Sequence, residues 1–185
     1  MEPNIHILRE CIIQDNQIFV DGELMFQSDS KDFQDFSKKA LRHLNVDYPK
    51  FFKMDNLSKL AFLGAEIILT PEIRGKGNTA LVFANKSSSL DTDVKYNNSI
   101  GDKDNYYPSP AVFVYTLPNI CLGEISIRHQ LKSENSFFIF DAFNQEFMEN
   151  YSRVLIKSGK ADQVLCGWVE FLGDDYMAKL FLIGN

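Results

Sequence analysis

The residue types that could do chemistry are present in this chain, but few of them stand at the spacing that chemistry needs. His6, His43 and His129 are scattered, with no carboxylate or thiol at metal-ligand spacing. The segment RGKGN at 74–78 has glycines and a lysine without the complete phosphate-loop pattern. The GxGxxG fingerprint of nicotinamide cofactors is absent. The sequence therefore predicts no metal and no cofactor.

Serines and cysteines are the next candidates for a nucleophile. The serines at 87–89 lie in a polar segment without a GxSxG pattern, which is typical of a loop. Cys11, Cys121 and Cys166 are an odd number without CxxC spacing, which favours reduced thiols over disulfides. Cys121 falls in an apolar helical pattern and Cys166 in an apolar strand pattern. We expect both to be inert, buried thiols.

Residues 137–147, FFIFDAFNQEF, have the pattern of a strand that runs directly into a helix. In α/β enzymes such an elbow often presents a nucleophile beside the free N–H groups of the helix start. Phe143 occupies that position, and a phenyl ring has no lone pair with which to attack. Asp141 could act as a base, but a carboxylate beside a helix start is more often a cap. This elbow cannot perform covalent catalysis.

Composition predicts one ordinary globular domain over residues 1–185. Hydrophobic residues make up 45% and charged residues 24%, and the formal charge is −6. This acidic balance argues against general nucleic-acid binding, which needs a basic face. The apolar runs are too short to cross a bilayer and the start lacks a signal peptide. We expect a cytoplasmic protein that does not bind membranes.

The elements that position the elbow follow from hydrophobic periodicity. Strands are predicted at 4–13, 79–85, 136–140, 161–172 and 176–184, with a hairpin over 17–26 that turns at Asp21-Gly22. Helices are predicted at 33–45, 57–69, 111–131 and 144–159, the third interrupted at Pro118. Asp55 or Asn56 would cap the second helix, and Asn144 the fourth.

Residues 86–110 are the most polar stretch and are interpreted as an ordered loop with a possible short helix. Strands that alternate with helices indicate an α/β fold. We expect a mostly parallel five-stranded sheet covered by helices, with the last strand antiparallel.

From about residue 45 onward, the order of these pieces resembles the N-terminal half of the β-ketoacyl synthases of the thiolase fold. The segment SPAVFVYTLPNICLGEISIRHQL is the closest match, and FFIFDAF resembles the strand that ends in the catalytic elbow. In the family the nucleophilic cysteine stands where this chain has Phe143. The family's C-terminal half, which carries the catalytic histidines, has no counterpart before Asn185. Gly167 matches the first glycine of a family double glycine, and Trp168 replaces the second.

The resemblance implies a non-catalytic protein similar to the chain-length-factor subunits. Such a protein would dimerise, or pair with an active synthase, in fatty-acid, aryl-polyene or polyketide biosynthesis. The implied interface consists of Pro118, Asn119, Phe137, Phe138, Ile139 and Phe140. The implied acyl pocket or elbow consists of Asp141, Ala142, Phe143 and Asn144.

Two alternatives stay open at this point. The chain could be a module that binds an acyl group or an acyl carrier protein. It could also contribute to an acyltransferase site that another chain completes in trans.

Overall fold

The computed structural model describes residues 5–74, 77–101, 104 and 106–185. The strands are β1 (His6–Gln14), β2 (Gln17–Val20), β3 (Glu23–Gln27), β4 (Thr79–Asn85), β5 (Asn135–Ile139), β6 (Gln163–Leu172) and β7 (Asp175–Gly184). The helices are α1 (Phe33–His43), α2 (Asn56–Ile68), α3 (Pro71–Arg74), α4 (Leu90–Ile100), α5 (Pro110–Val114), α6 (Ile120–His129) and α7 (Gln145–Lys157), with a 3-10 helix at Pro49–Lys53.

All these strands form one sheet in the order β3-β2-β1-β7-β6-β4-β5. β4 lies parallel to both β5 and β6, whereas β7 is antiparallel to both β6 and β1. Strands β1, β6, β4 and β5 therefore run in one direction and β7 runs against them, as predicted for the five main strands. The prediction of five strands is too low, because the β2–β3 hairpin extends the same sheet beside β1.

One face of the sheet is covered by α1, α2 and α6. Helix α1 begins where Asp32 accepts a hydrogen bond from the Asp35 N–H, and α2 begins where Asp55 accepts one from the Ser58 N–H. Almost every residue of α2 is buried, because it lies between the sheet on one side and its neighbouring helices α1 and α6 on the other.

The other face is covered by α7, which packs on β6, β4 and β7. Its inward residues Met148, Leu155 and Ile156 join a second apolar cluster with Val82 and Cys166 of the sheet. β4 is buried along its whole length, as its continuous apolar run predicts.

The structure corrects two sequence predictions. Helix α4 occupies much of the segment interpreted as a loop with a possible short helix. Its sequence shows little apolar periodicity, because only Thr92 of α4 is buried. The helix predicted over 111–131 is two helices separated by residues 115–119, a longer break than Pro118 alone implies. Gly75 and Lys76 of the predicted RGKGN turn lie outside the described residues. None of the described helices is long and apolar enough to cross a membrane.

Candidate functional site

The elbow between β5 and α7 lies where the sequence predicts it. The Phe140 N–H donates to the Asn85 carbonyl at 3.0 Å, which fixes the elbow to the end of β4. The Asn144 side chain accepts from the Phe147 N–H at 2.9 Å and caps α7, as predicted. Asp141 and Ala142 are exposed. The side chain that caps this helix thus belongs to Asn144 and not to Asp141.

Phe143 packs inward and partly fills the apolar cluster under α7. Its ring centroid lies 6.0 Å from that of Trp168 and 6.2 Å from that of Phe181. The two partners come from the neighbouring strands β6 and β7, so the ring joins the elbow to the sheet. Lys179 lies beside this group, with its Nζ 5.4 Å from the Phe181 ring centroid and 3.6 Å from a carboxylate oxygen of Glu10.

A potential anion site at the end of β4 is filled by the protein itself. The Lys86 and Ser87 N–H groups, just after β4, both donate to Oε2 of Glu170, at 2.6 Å and 3.2 Å. Backbone N–H groups at the end of a parallel strand commonly bind an anionic ligand. Here the Glu170 carboxylate of β6 takes that place. The sequence gives no signal for this contact, because the partners are 84 and 83 residues apart.

Gly167, the glycine singled out by the resemblance, is required by the backbone. Its φ is +148°, and a Cβ there would lie 2.1 Å from the Lys179 carbonyl oxygen. Any larger residue would push β6 away from β7, so this glycine has a structural reason to be present.

The three cysteines are free and buried. Burial raises the pKa of the Cys11 and Cys166 thiols to about 12, and it also raises the pKa of Cys121 well above its usual value. A thiolate is the reactive form, so these thiols are poor nucleophiles, as predicted for Cys121 and Cys166. No group of three or more residues that could hold a metal ion occurs in the part of the chain that the structure describes.

Among the described residues, strand β5 is the edge of the sheet next to β4, and the backbone groups that it turns away from β4 can be assigned. The Leu81 N–H donates to the Glu134 carbonyl, and the Phe140 N–H to the Asn85 carbonyl. In a parallel ladder these bonds alternate. The even-numbered residues from 134 to 140 therefore turn their backbone groups toward β4. Asn135, Phe137 and Ile139 turn theirs toward the open edge.

The surroundings of this edge are apolar on both faces. Phe138 and Phe140 stack with ring centroids 5.8 Å apart, and Phe147 meets both rings edge-on at 5.0 Å. Ile139 is 50% exposed, and on the other face α6, which packs against β5, leaves Ile127 64% exposed.

Pro118 and Asn119 precede the first turn of α6. Because α6 leads back to β5 through a short connection, it runs against that strand and its first turn lies toward the end of β5. Asn119 is exposed and its side chain makes no capping hydrogen bond. The structure thus brings Pro118, Asn119 and the elbow to the same end of the sheet.

Three solved structures resemble this chain over nearly its whole length. A chain of the ishigamide ketosynthase/chain length factor covers 98% of it with a TM-score of 0.69 and 16% identity. A chain of the ketosynthase ApeO in complex with its chain length factor ApeC, from Xenorhabdus doucetiae, covers 98% with a TM-score of 0.65 and 13% identity.

A third chain comes from AntDE:AntF, described as a type II polyketide synthase acyl-carrier protein in complex with its ketosynthase bound to the hexaketide. It covers 100% of this chain with a TM-score of 0.61 and 15% identity. The chain has the ketosynthase/chain length factor fold. This confirms the predicted thiolase-like fold class.

The match covers only part of each solved chain. This chain spans 62%, 79% and 63% of the three solved chains, so for two of them it covers less than two thirds. No family model matches the sequence, and no curated protein matches it.

Proposed function

We propose that this protein is a non-catalytic subunit of the chain-length-factor type. In this proposal it pairs in the cytoplasm with a second subunit of the same fold and serves fatty-acid, aryl-polyene or polyketide biosynthesis. The observation that carries the proposal is Phe143, which the resemblance aligns with the nucleophile and whose ring packs against Trp168 and Phe181. A phenyl ring held in this way can stabilise the elbow by packing, but it cannot form an acyl-enzyme.

The free edge of β5 supports the pairing surface. An edge strand offers unpaired N–H and C=O groups to another strand, and natural proteins usually protect such an edge with charge or proline. Residues 135–139, NSFFI, contain neither. The interface of this proposal contains Pro118, Asn119, Phe137, Phe138, Ile139 and Phe140.

The alternation along β5 fixes how a second copy would pair with it. Only odd-numbered residues have free backbone groups, so an antiparallel two-fold pair would place Phe137 opposite Phe137 and Asn135 opposite Ile139. Ile127 of the two copies would then approach on the α6 face, and the aromatic group of Phe138 and Phe140 on the α7 face. An active ketosynthase as partner would hydrogen-bond to the same backbone N–H and C=O groups of β5.

The proposal is tested by isolating the tagged protein from its native cells and measuring the mass and composition of the complex. We expect a one-to-one assembly with a second copy or with a ketosynthase-fold subunit. Elution as a 21.2 kDa monomer with neither partner would contradict the proposal.

Two substitutions at one position test the strand edge. Ile139→Pro removes an N–H that faces the open edge and leaves the ladder to β4 intact, which an edge strand tolerates. We expect it to abolish pairing while the far-UV circular dichroism stays unchanged. Ile139→Ala keeps the N–H, and it should retain the partner with weakened affinity. A folded Ile139→Pro protein that keeps its partner would show that β5 is not the pairing strand.

A further inference from the structure

A cavity on the α1–α2 face, across the sheet from Phe143, combines an apolar wall with unused hydrogen-bond donors. Its volume is about 320 Å³, and it lies between the start of α1, the start of α2, α4 and α5. Met54, Ala111, Val112 and the ring of Tyr115 supply the apolar wall. The polar lining comes from Gln34, Lys53, Asp55, Asn56, Thr92 and Lys95.

The carboxylate and amide oxygens of this lining already accept hydrogen bonds within the protein. Asp55 accepts from the Ser58 N–H and the Thr92 hydroxyl, each at 3.0 Å. The Asn56 oxygen accepts from Gln34 at 2.6 Å, and the Gln34 oxygen accepts from Lys59 at 3.0 Å. The Tyr115 hydroxyl donates to Glu124 at 2.9 Å, outside the lining. Each of these side-chain oxygens thus has at least one hydrogen-bond donor within the protein.

The groups that stay free are donors. Among the described residues, Lys53 has no carboxylate partner and the Asn56 side-chain N–H₂ has no acceptor. Lys95 shares its ammonium with Asp91 at the surface. An ammonium has three donor protons, so Lys95 keeps capacity for a second acceptor.

Local charge is positive although the chain is acidic overall. Lys59 lies beside Gln34, is only 6% exposed, and has an amide oxygen as its hydrogen-bond partner. Burial lowers the pKa of Lys59, and the nearby Asp55 carboxylate raises it. Among the charged residues of the lining, two lysines, Lys53 and Lys95, stand against one aspartate, Asp55. Such a balance favours a ligand that brings negative charge and acceptor oxygens.

We propose that this cavity binds a small amphipathic anion, with a carboxylate or phosphate head on Lys53, Asn56 and Lys95 and a short apolar group against Met54, Val112 and Tyr115. At about 30 Å³ for each water-sized group, the cavity holds about ten non-hydrogen atoms. Octanoate has this size. The site does not involve the β5 edge, so it can fail or succeed independently of the pairing.

Isothermal titration of the whole protein tests the site with octanoate, octyl phosphate, octylammonium and butyrate. We expect saturable binding of octanoate or octyl phosphate, and the stronger of the two identifies the head group. Octylammonium should not bind, because the ammonium groups of Lys53 and Lys95 in the lining repel a cation. Butyrate should bind at least about tenfold more weakly, since it buries fewer methylenes.

Matched variants locate the binding. Lys53→Glu should weaken octanoate binding at least about tenfold. Ala111→Trp should also weaken it, because the larger side chain would occupy part of the cavity. Lys157→Glu makes the same change of charge at an exposed residue of α7. It should alter the affinity for octanoate less than about twofold. The proposal is overturned if neither anion binds at about 10 mM. It is also overturned if octylammonium binds as well as octanoate, or if Lys53→Glu and Lys157→Glu have equal effects.

Discussion

The Phe143 side chain has a structural role that can be measured separately from any pairing. Its ring contacts Trp168 and Phe181, and it is one of the half-buried aromatic residues that pack on the cluster under α7. A nucleophile at this position would need a polar, accessible environment. The aromatic neighbours provide an apolar one, so this residue stabilises the elbow.

Phe143→Ala should lower the free energy of unfolding by about 2 kcal/mol. Removing a half-buried ring costs about half the stability that removing a fully buried ring costs. Phe52→Ala, at a ring that is 56% exposed, is the matched control and should cost less. Urea unfolding measures both. Equal losses in the two variants would show that Phe143 does not pack as described.

At the scale of elements, helices α2 and α6 are joined by a buried charge cluster. Glu66 of α2 accepts from Arg128 of α6 at 2.7 Å and 3.1 Å, and its carboxylate lies 3.1 Å from Nε2 of His129. Burial alone would raise the pKa of Glu66. The adjacent His129 side chain and the hydrogen bonds from Arg128 outweigh it and lower the pKa from 4.5 to about 2.

The lowered pKa gives the α2–α6 contact a defined acid dependence. A carboxyl group whose folded-state pKa lies below its unfolded value stabilises the fold above the unfolded pKa. The contribution of Glu66 should therefore be complete above pH 4.5 and decline as the pH falls toward 2. Urea unfolding at several pH values measures it.

Glu66→Gln removes the titrating group, so its stability should depend less on pH in this window than that of the wild type. Glu23→Gln, on strand β3, removes one carboxylate away from this cluster and should keep the wild-type profile. An unchanged profile in Glu66→Gln would contradict the assigned role of the cluster.

Sequence periodicity was sufficient for elements that bury an apolar stripe and insufficient for those held by polar contacts. Helix α1 followed from its apolar spacing, and α7 from its apolar spacing and its cap at Asn144. A short helix was left possible where α4 lies, but its length was underestimated, because only Thr92 of α4 is buried and its hydroxyl makes a polar contact with Asp55. The Glu170 contact with residues 86–87 was missed because nothing in local sequence encodes a partner more than 80 residues away.

Across the whole molecule, the sheet carries its helices on two faces and ends in a free edge at β5. The outer side of α7 is polar, with Gln145, Glu149 and Arg153 joined by hydrogen bonds. Exposed apolar residues lie beside β5, at Ile127 and Ile139, and α7 also exposes Val154. The backbone groups that β5 turns toward the sheet edge, rather than the apolar residues alone, favour this edge over the α7 surface for the proposed second subunit.

Amide hydrogen exchange at single-residue resolution, on the complex purified with its partner, tests the pairing most directly. The Phe138 N–H bonds to β4 and should be protected with or without a partner. The Phe137 and Ile139 N–H groups face the open edge, so pairing should slow their exchange at least about tenfold relative to the separated protein. If both N–H groups still exchange at the rate of the separated protein while the complex keeps its mass, β5 is not the strand through which the subunits pair.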